Sequence, residues 1–144
     1  MQNIQMKQDS KFVKVCVMGK LRRADVIITK QRVALATLLF NESRGHVTAE
    51  KLYSEAKKVG LQISLATIYN TLNHFSDQGL IKTLQIDNSK TFFDTNTHHH
   101  YHFRDGNDLH DVNTKDVTID LHKNKIPNGK KIKSIDVIIN LTDE

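Results

Sequence analysis

The 144-residue sequence holds a single cysteine, Cys16, a single proline and no tryptophan. One cysteine excludes an internal disulfide and any Cys-x-x-Cys or four-cysteine structural zinc site. No apolar run approaches the ~18 residues that a membrane-spanning helix needs. The start, Met-Gln-Asn-Ile-Gln-Met-Lys, lacks an apolar signal core, so a cytoplasmic location is expected. His-Glu-x-x-His, Gly-x-Ser-x-Gly and a phosphate-cradling glycine loop are all missing, and Cys16 has no evident base partner. The sequence therefore argues against an enzyme.

What is present is a globular composition, 38% hydrophobic, in a chain long enough for one domain or two small ones. The net charge of +5 is unevenly spread. Residues 1–94 carry 14 basic and 8 acidic side chains, whereas residues 95–144 carry 7 and 8. A basic half points to a polyanion, nucleic acid before membrane.

That half contains the stretch Ser64 to Gly79. Leu65, Ile68, Leu72 and Phe75 recur at helical spacing, and Thr67, Asn70, Thr71 and His74 occupy another face. A face of short polar side chains can hydrogen-bond base edges or phosphates. Periodicity alone is also met by an ordinary amphipathic helix, so the neighbours matter. Ser64 is a suitable N-cap and Gly79 a suitable stop. Thr48 caps a preceding helix to about Val59, with Leu52, Tyr53, Ala56 and Val59 inward. Thr29 caps another to about Asn41, with Val33, Ala36, Leu39 and Phe40 inward. Lys30 and Arg32 stand in its first turn, where the helix dipole disfavours cations. A bound anion accounts for that placement, as does a small uncorrected mismatch. A further helix from Asp9 is expected to end at Gly19.

After Gly79, two strand-like runs flank the polar Asp87-Asn-Ser-Lys90. Three helices and then a hairpin is the order of a winged-helix DNA-binding domain. The expected fold is α+β: a winged-helix domain over 1–94, followed by a small α/β dimerisation and sensing domain over 95–144. So small a second unit is expected to complete its core with a second copy. Its clearest strand is Ile132 to Leu141.

Residues 98–103 also read as a strand, with His98, His100 and His102 on one face and His99 and Tyr101 on the other. Converging imidazoles suit zinc, iron or manganese, or haem through axial ligation. Carboxylates lie close in sequence: Asp94, Asp105, Asp108 and Asp111. An exposed polar strand edge is the plainer alternative.

Thr29-Lys-Gln-Arg32, His46-Val-Thr-Ala-Glu-Lys-Leu-Tyr53, Ile63-Ser-Leu-Ala-Thr-Ile-Tyr-Asn-Thr-Leu72 and Gly79-Leu-Ile81 together resemble the ferric uptake regulator family. Tyr69-Asn70, Phe93-Asp94-Thr95-Asn96, His98-His99-His100 and the lack of paired cysteines resemble its iron response regulator branch. The resemblance implies a dimeric transcription regulator, a repressor by type, that binds operator DNA and senses iron or haem. It implies metal ligation by His46, Asp94, His98, His100 and Asp111, and haem binding by His98, His99 and His100. DNA contacts are expected from Lys30, Arg32, Ser64, Thr67, Tyr69, Asn70 and Thr71. The implied cofactor is haem or Fe2+/Mn2+, with Zn2+ possible in purified protein. A peroxide or manganese sensor is the alternative within the family. A metal-binding or hydrolytic protein without specific DNA binding is the alternative outside it.

Three departures from the family pattern bear on these expectations. Asp25-Val26-Ile27 stands where relatives have Gly-Leu-Arg, removing an arginine from the DNA face. Two residues are missing between Asn96 and His98, so His100 and His102 are an alternative ligand pair to His98 and His100. Cys16 precedes Val17 and not proline, so it does not match a Cys-Pro haem motif.

Overall fold

A computed structural model describes residues 2–41, 45–88 and 90–144, with side chains described from residue 10 onward. The chain forms two compact units, 1–97 and 98–144.

The first unit opens with helix α1 (Gln2–Arg23), then α2 (Lys30–Leu39), strand β1 (His46–Val47), α3 (Ala49–Lys58) and α4 (Leu65–Asp77). Strands β2 (Lys82–Asp87) and β3 (Lys90–Asp94) complete it. All three expected caps form. Thr29 accepts from the Arg32 N–H, Thr48 from the Lys51 N–H and Ser64 from the Thr67 N–H. Each supplies one orphan donor of a first turn with an acceptor.

Helix α1 does not end at Gly19, because Val17 and Leu21 continue its buried face on either side of that residue. It ends one turn later at Arg23, and Asp25 just beyond adopts a positive φ of 56°. The Val26 N–H then returns to the Leu21 carbonyl at 2.9 Å. This is a left-handed helix stop, usually made by glycine.

The core gathers Leu21, Leu35, Leu39, Leu52, Ile68, Leu72, Phe75 and Phe93, all fully buried. Burial of each such side chain contributes roughly 1.5–3 kcal/mol. Two expectations on helix faces need correction. Leu35 is buried although it lies off the expected stripe, since α2 packs against both α1 and α3. Val59 is 61% exposed, because it is the C-cap of α3 and has left the helical face.

Strand β3 is central, with β1 and β2 antiparallel on either side. The β2–β3 hairpin is the wing; in its turn, Ser89 lies outside the described residues. The short β1 was not expected from sequence.

The second unit has strands β4 (Tyr101–Asp105), β5 (Asp108–Val112) and β6 (Ile138–Asn140) in the order β5-β4-β6. Its helical content among the described residues is two short 3-10 turns, 114–116 and 123–125. Strand β4 starts at Tyr101 and not at His98. Its first partner is Val112, beyond which Asn113 leaves to cap a 3-10 turn, so β5 does not extend opposite His100. Of the run Ile132 to Leu141 only β6 is strand, paired parallel with His102 to Arg104. No helix is long and apolar enough to cross a membrane, among the described residues.

Candidate metal centre and nucleic-acid interface

Strands β1 and β3 put His46 opposite Asp94 in register. The His46 Nε2 lies 3.1 Å from the Asp94 Oδ2. Asp94 is only 1% exposed, and its Oδ1 accepts the Asn96 N–H at 2.9 Å. A buried carboxylate needs a cation or several donors. The rung is extended by the Thr95 N–H, which donates to the Gly45 carbonyl at 3.0 Å.

In the second unit His102 is buried on β4 and stands opposite Asp111 on β5. The His100 Nε2 lies 3.3 Å from the Asp111 Oδ1 and the His102 Nε2 3.9 Å from it. The two imidazole centroids are 4.5 Å apart. The His100 Nδ1 is 2.6 Å from the His98 carbonyl oxygen. A carbonyl only accepts, so Nδ1 carries the proton and Nε2 is turned to the cluster. One ligand atom from each of His100, His102 and Asp111 falls within a 4.8 Å group. Ligands about 2.1 Å from one ion lie roughly 3–3.5 Å apart, so these donors fit a small divalent metal after slight contraction. The set is nitrogen and oxygen without thiolate, which suits manganese, iron or zinc.

The structure thus brings Asp111 to His100 and His102. His98 and His99 are exposed, and His99 meets Tyr101 edge-on at 5.3 Å. The alternation of His98, His100 and His102 along one strand does not hold, since only His102 lies within β4.

The nucleic-acid candidates lie on α2 and α4. Lys30 is exposed, and the Arg32 guanidinium donates to the Ile27 carbonyl at 2.8 Å, closing the turn before α2. Ser64 pairs with the Thr67 hydroxyl at 2.8 Å, and the Thr71 hydroxyl donates to the Thr67 carbonyl at 2.8 Å. Both threonines are half-buried, whereas Ala66, Asn70, Asn73 and, at the end of the helix, the acidic Asp77 form the exposed stripe. Tyr69 is half-buried and its hydroxyl donates to the Glu50 carboxylate of α3. That bond, followed by burial and the Glu50 charge, raises the Tyr69 pKa above the ordinary 10.0. Sequence reasoning missed Ala66 and Asn73, which complete an exposed i, i+4, i+7 set with Asn70. Glu50 of α3 sets an acid beside the candidate reading face, a neighbour that spacing within α4 does not reveal.

The model of the ferric uptake regulator family matches residues 23–141. The chain belongs to the ferric uptake regulator family. Among similar proteins are the peroxide-responsive repressors PerR of Staphylococcus epidermidis and Staphylococcus aureus. Each is 44% identical over 84 residues, which is 58% of this chain and 55% or 56% of the relative. The alignment spans little more than half of those relatives. Among solved structures, the Pseudomonas aeruginosa ferric uptake regulator with manganese superposes with a TM-score of 0.67 at 20% identity, covering 88% of this chain and 96% of that one. The Vibrio cholerae regulator gives 0.66 at 22%, covering 85% and 96%. These likenesses establish the α+β fold of the family. The family is one of transcription regulators and not of enzymes. The relatives named here are peroxide-responsive repressors, so the iron response regulator branch is not the one they favour. The haem expectation gains no support from them.

Proposed function

We propose that this ferric uptake regulator family protein is a metal-dependent transcriptional repressor of the peroxide- or metal-sensing type. It binds operator DNA as a homodimer and changes its DNA affinity with Fe2+ or Mn2+. The observation that carries the metal part is the donor chemistry: a buried His46–Asp94 pair and a His100–His102–Asp111 group, all nitrogen and oxygen donors.

Two donors in one unit and three in the other leave each set short of a six-coordinate shell. An ion bound at either set would draw its remaining ligands from water or other protein groups and would order the strands that carry the donors, a state on which DNA affinity can depend. Bound iron would supply reactivity toward peroxide, and manganese a redox-quiet equivalent. The 44% identity to peroxide-responsive repressors supports this reading over the haem one. In DNA binding, α4 enters the major groove with Asn70, Asn73 and Tyr69, while Lys30 and Arg32 meet phosphates. The second unit supports a dimer: Ile119, Leu121, Ile132 and Leu141 are each 41–48% exposed, more apolar surface than so small a unit is expected to leave in water.

Titration of metal-stripped protein with Mn2+, Zn2+ and haem tests the ligand. Tight stoichiometric Mn2+ binding, lost in Asp111→Ala, is expected. A sharp haem Soret band that requires His98 and His99, with only loose Mn2+ binding, would replace this reading with the haem one.

A further inference from the structure

Helices α1 and α2 do not close on each other along their full length. Between them lies a groove of about 700 Å³ with apolar walls from Met18, Val33, Leu38 and Val59. Lys14 and Lys30 also line it, and no acidic residue is among its described lining. A smaller cavity of about 210 Å³ shares Lys30, Ala34 and Leu61 with the groove and continues toward the turn before α4. Ligand pockets for small molecules have volumes of about 300–1,000 Å³, mostly apolar with a few placed polar groups.

We infer that this groove binds a small amphiphilic carboxylate, an acyl chain of roughly ten carbons, with its body along α2 and its head at Lys14 and Lys30. Charge complementarity selects this occupant over a second copy of the chain. From residue 10 to Arg23, α1 carries Lys11, Lys14, Lys20, Arg22 and Arg23 and no acidic residue. A second α1 laid along the groove would set like charges against each other, whereas an anion meets charge of opposite sign. The metal donors take no part, so the inference stands apart from the metal reading. Lys30 is also a proposed phosphate contact, so the bound carboxylate and DNA would draw on the same cation.

The test is calorimetric titration of the full-length protein with decanoate and with decyl alcohol below micelle formation. Saturable 1:1 decanoate binding is expected, with the alcohol weaker by roughly tenfold. The double variant Lys14→Gln/Lys30→Gln should reduce decanoate to the level of the alcohol and leave the alcohol unchanged. Ala34→Trp should remove both by filling the groove. If Ala34→Trp fails to fold, the lysine variant and the acid-to-alcohol ratio decide alone. Absence of saturable binding, equal affinity for acid and alcohol, or dissociation of an oligomer by Ala34→Trp in sedimentation would each overturn the inference, the last by assigning the groove to a second copy.

Discussion

His46 and Asp94 face each other twice. Their backbones are register partners on β1 and β3, and their side chains meet at 3.1 Å. The strand pairing therefore sets the donor pair before any ion arrives, which lowers the ordering cost of binding. Asp94→Asn keeps an oxygen acceptor for the Asn96 N–H but removes the charge. It should weaken Mn2+ binding by at least roughly 100-fold, since loss of a direct charged donor exceeds the 10–100-fold typical of outer-shell changes, and cost only about 1 kcal/mol of stability. Paired metal titrations and denaturant melts check both.

The Tyr69–Glu50 bond gives a pH signature. The folded pKa of Tyr69 is raised, so the folded state holds this proton more tightly than the unfolded state does. The contribution is therefore present below the unfolded value of 10.0 and is lost as pH rises through the raised folded value. Glu50→Ala should bring the Tyr69 ionisation down toward 10.0 in an ultraviolet difference titration, with Tyr69→Phe as the reference. An unchanged titration would mean that Glu50 does not hold the ring.

Ser64 both caps α4 and fixes Thr67. Ser64→Ala should cost about 1 kcal/mol, a fall in melting temperature of roughly 4–8 °C for a small domain, and Ser64→Asp should recover most of it. Thermal unfolding followed by circular dichroism measures this.

Asp25 occupies the left-handed conformation that glycine usually fills at a helix stop. Asp25→Gly should stabilise the protein by about 1 kcal/mol, and Asp25→Val should destabilise it by more, because branching at Cβ clashes at positive φ. Denaturant midpoints at constant slope test the pair.

The helical half was legible because its signals are local. Thr29, Thr48 and Ser64 are caps whose acceptors reach three residues ahead, and Ile68, Leu72 and Phe75 keep one period. The second unit was less legible because its order depends on pairing across the sheet. Strand β4 begins where Val112 offers a partner, and β6 is limited to the stretch beside His102 to Arg104. The same holds for the donors. Asp111 joins His100 and His102 through the β4–β5 register, which spacing along the chain does not reveal. The Glu50–Tyr69 bond, spanning 19 residues, is invisible for the same reason.

The most direct test of a metal-dependent repressor is DNA binding with the metal as the only variable. Duplexes selected from a random library by the Mn2+-loaded protein would be labelled and followed by fluorescence anisotropy. The account predicts sequence-selective binding with Mn2+ that falls by at least roughly tenfold after chelation and returns on adding Mn2+ back. Equal affinity with and without chelator, or binding that never distinguishes selected from scrambled duplexes, would contradict it.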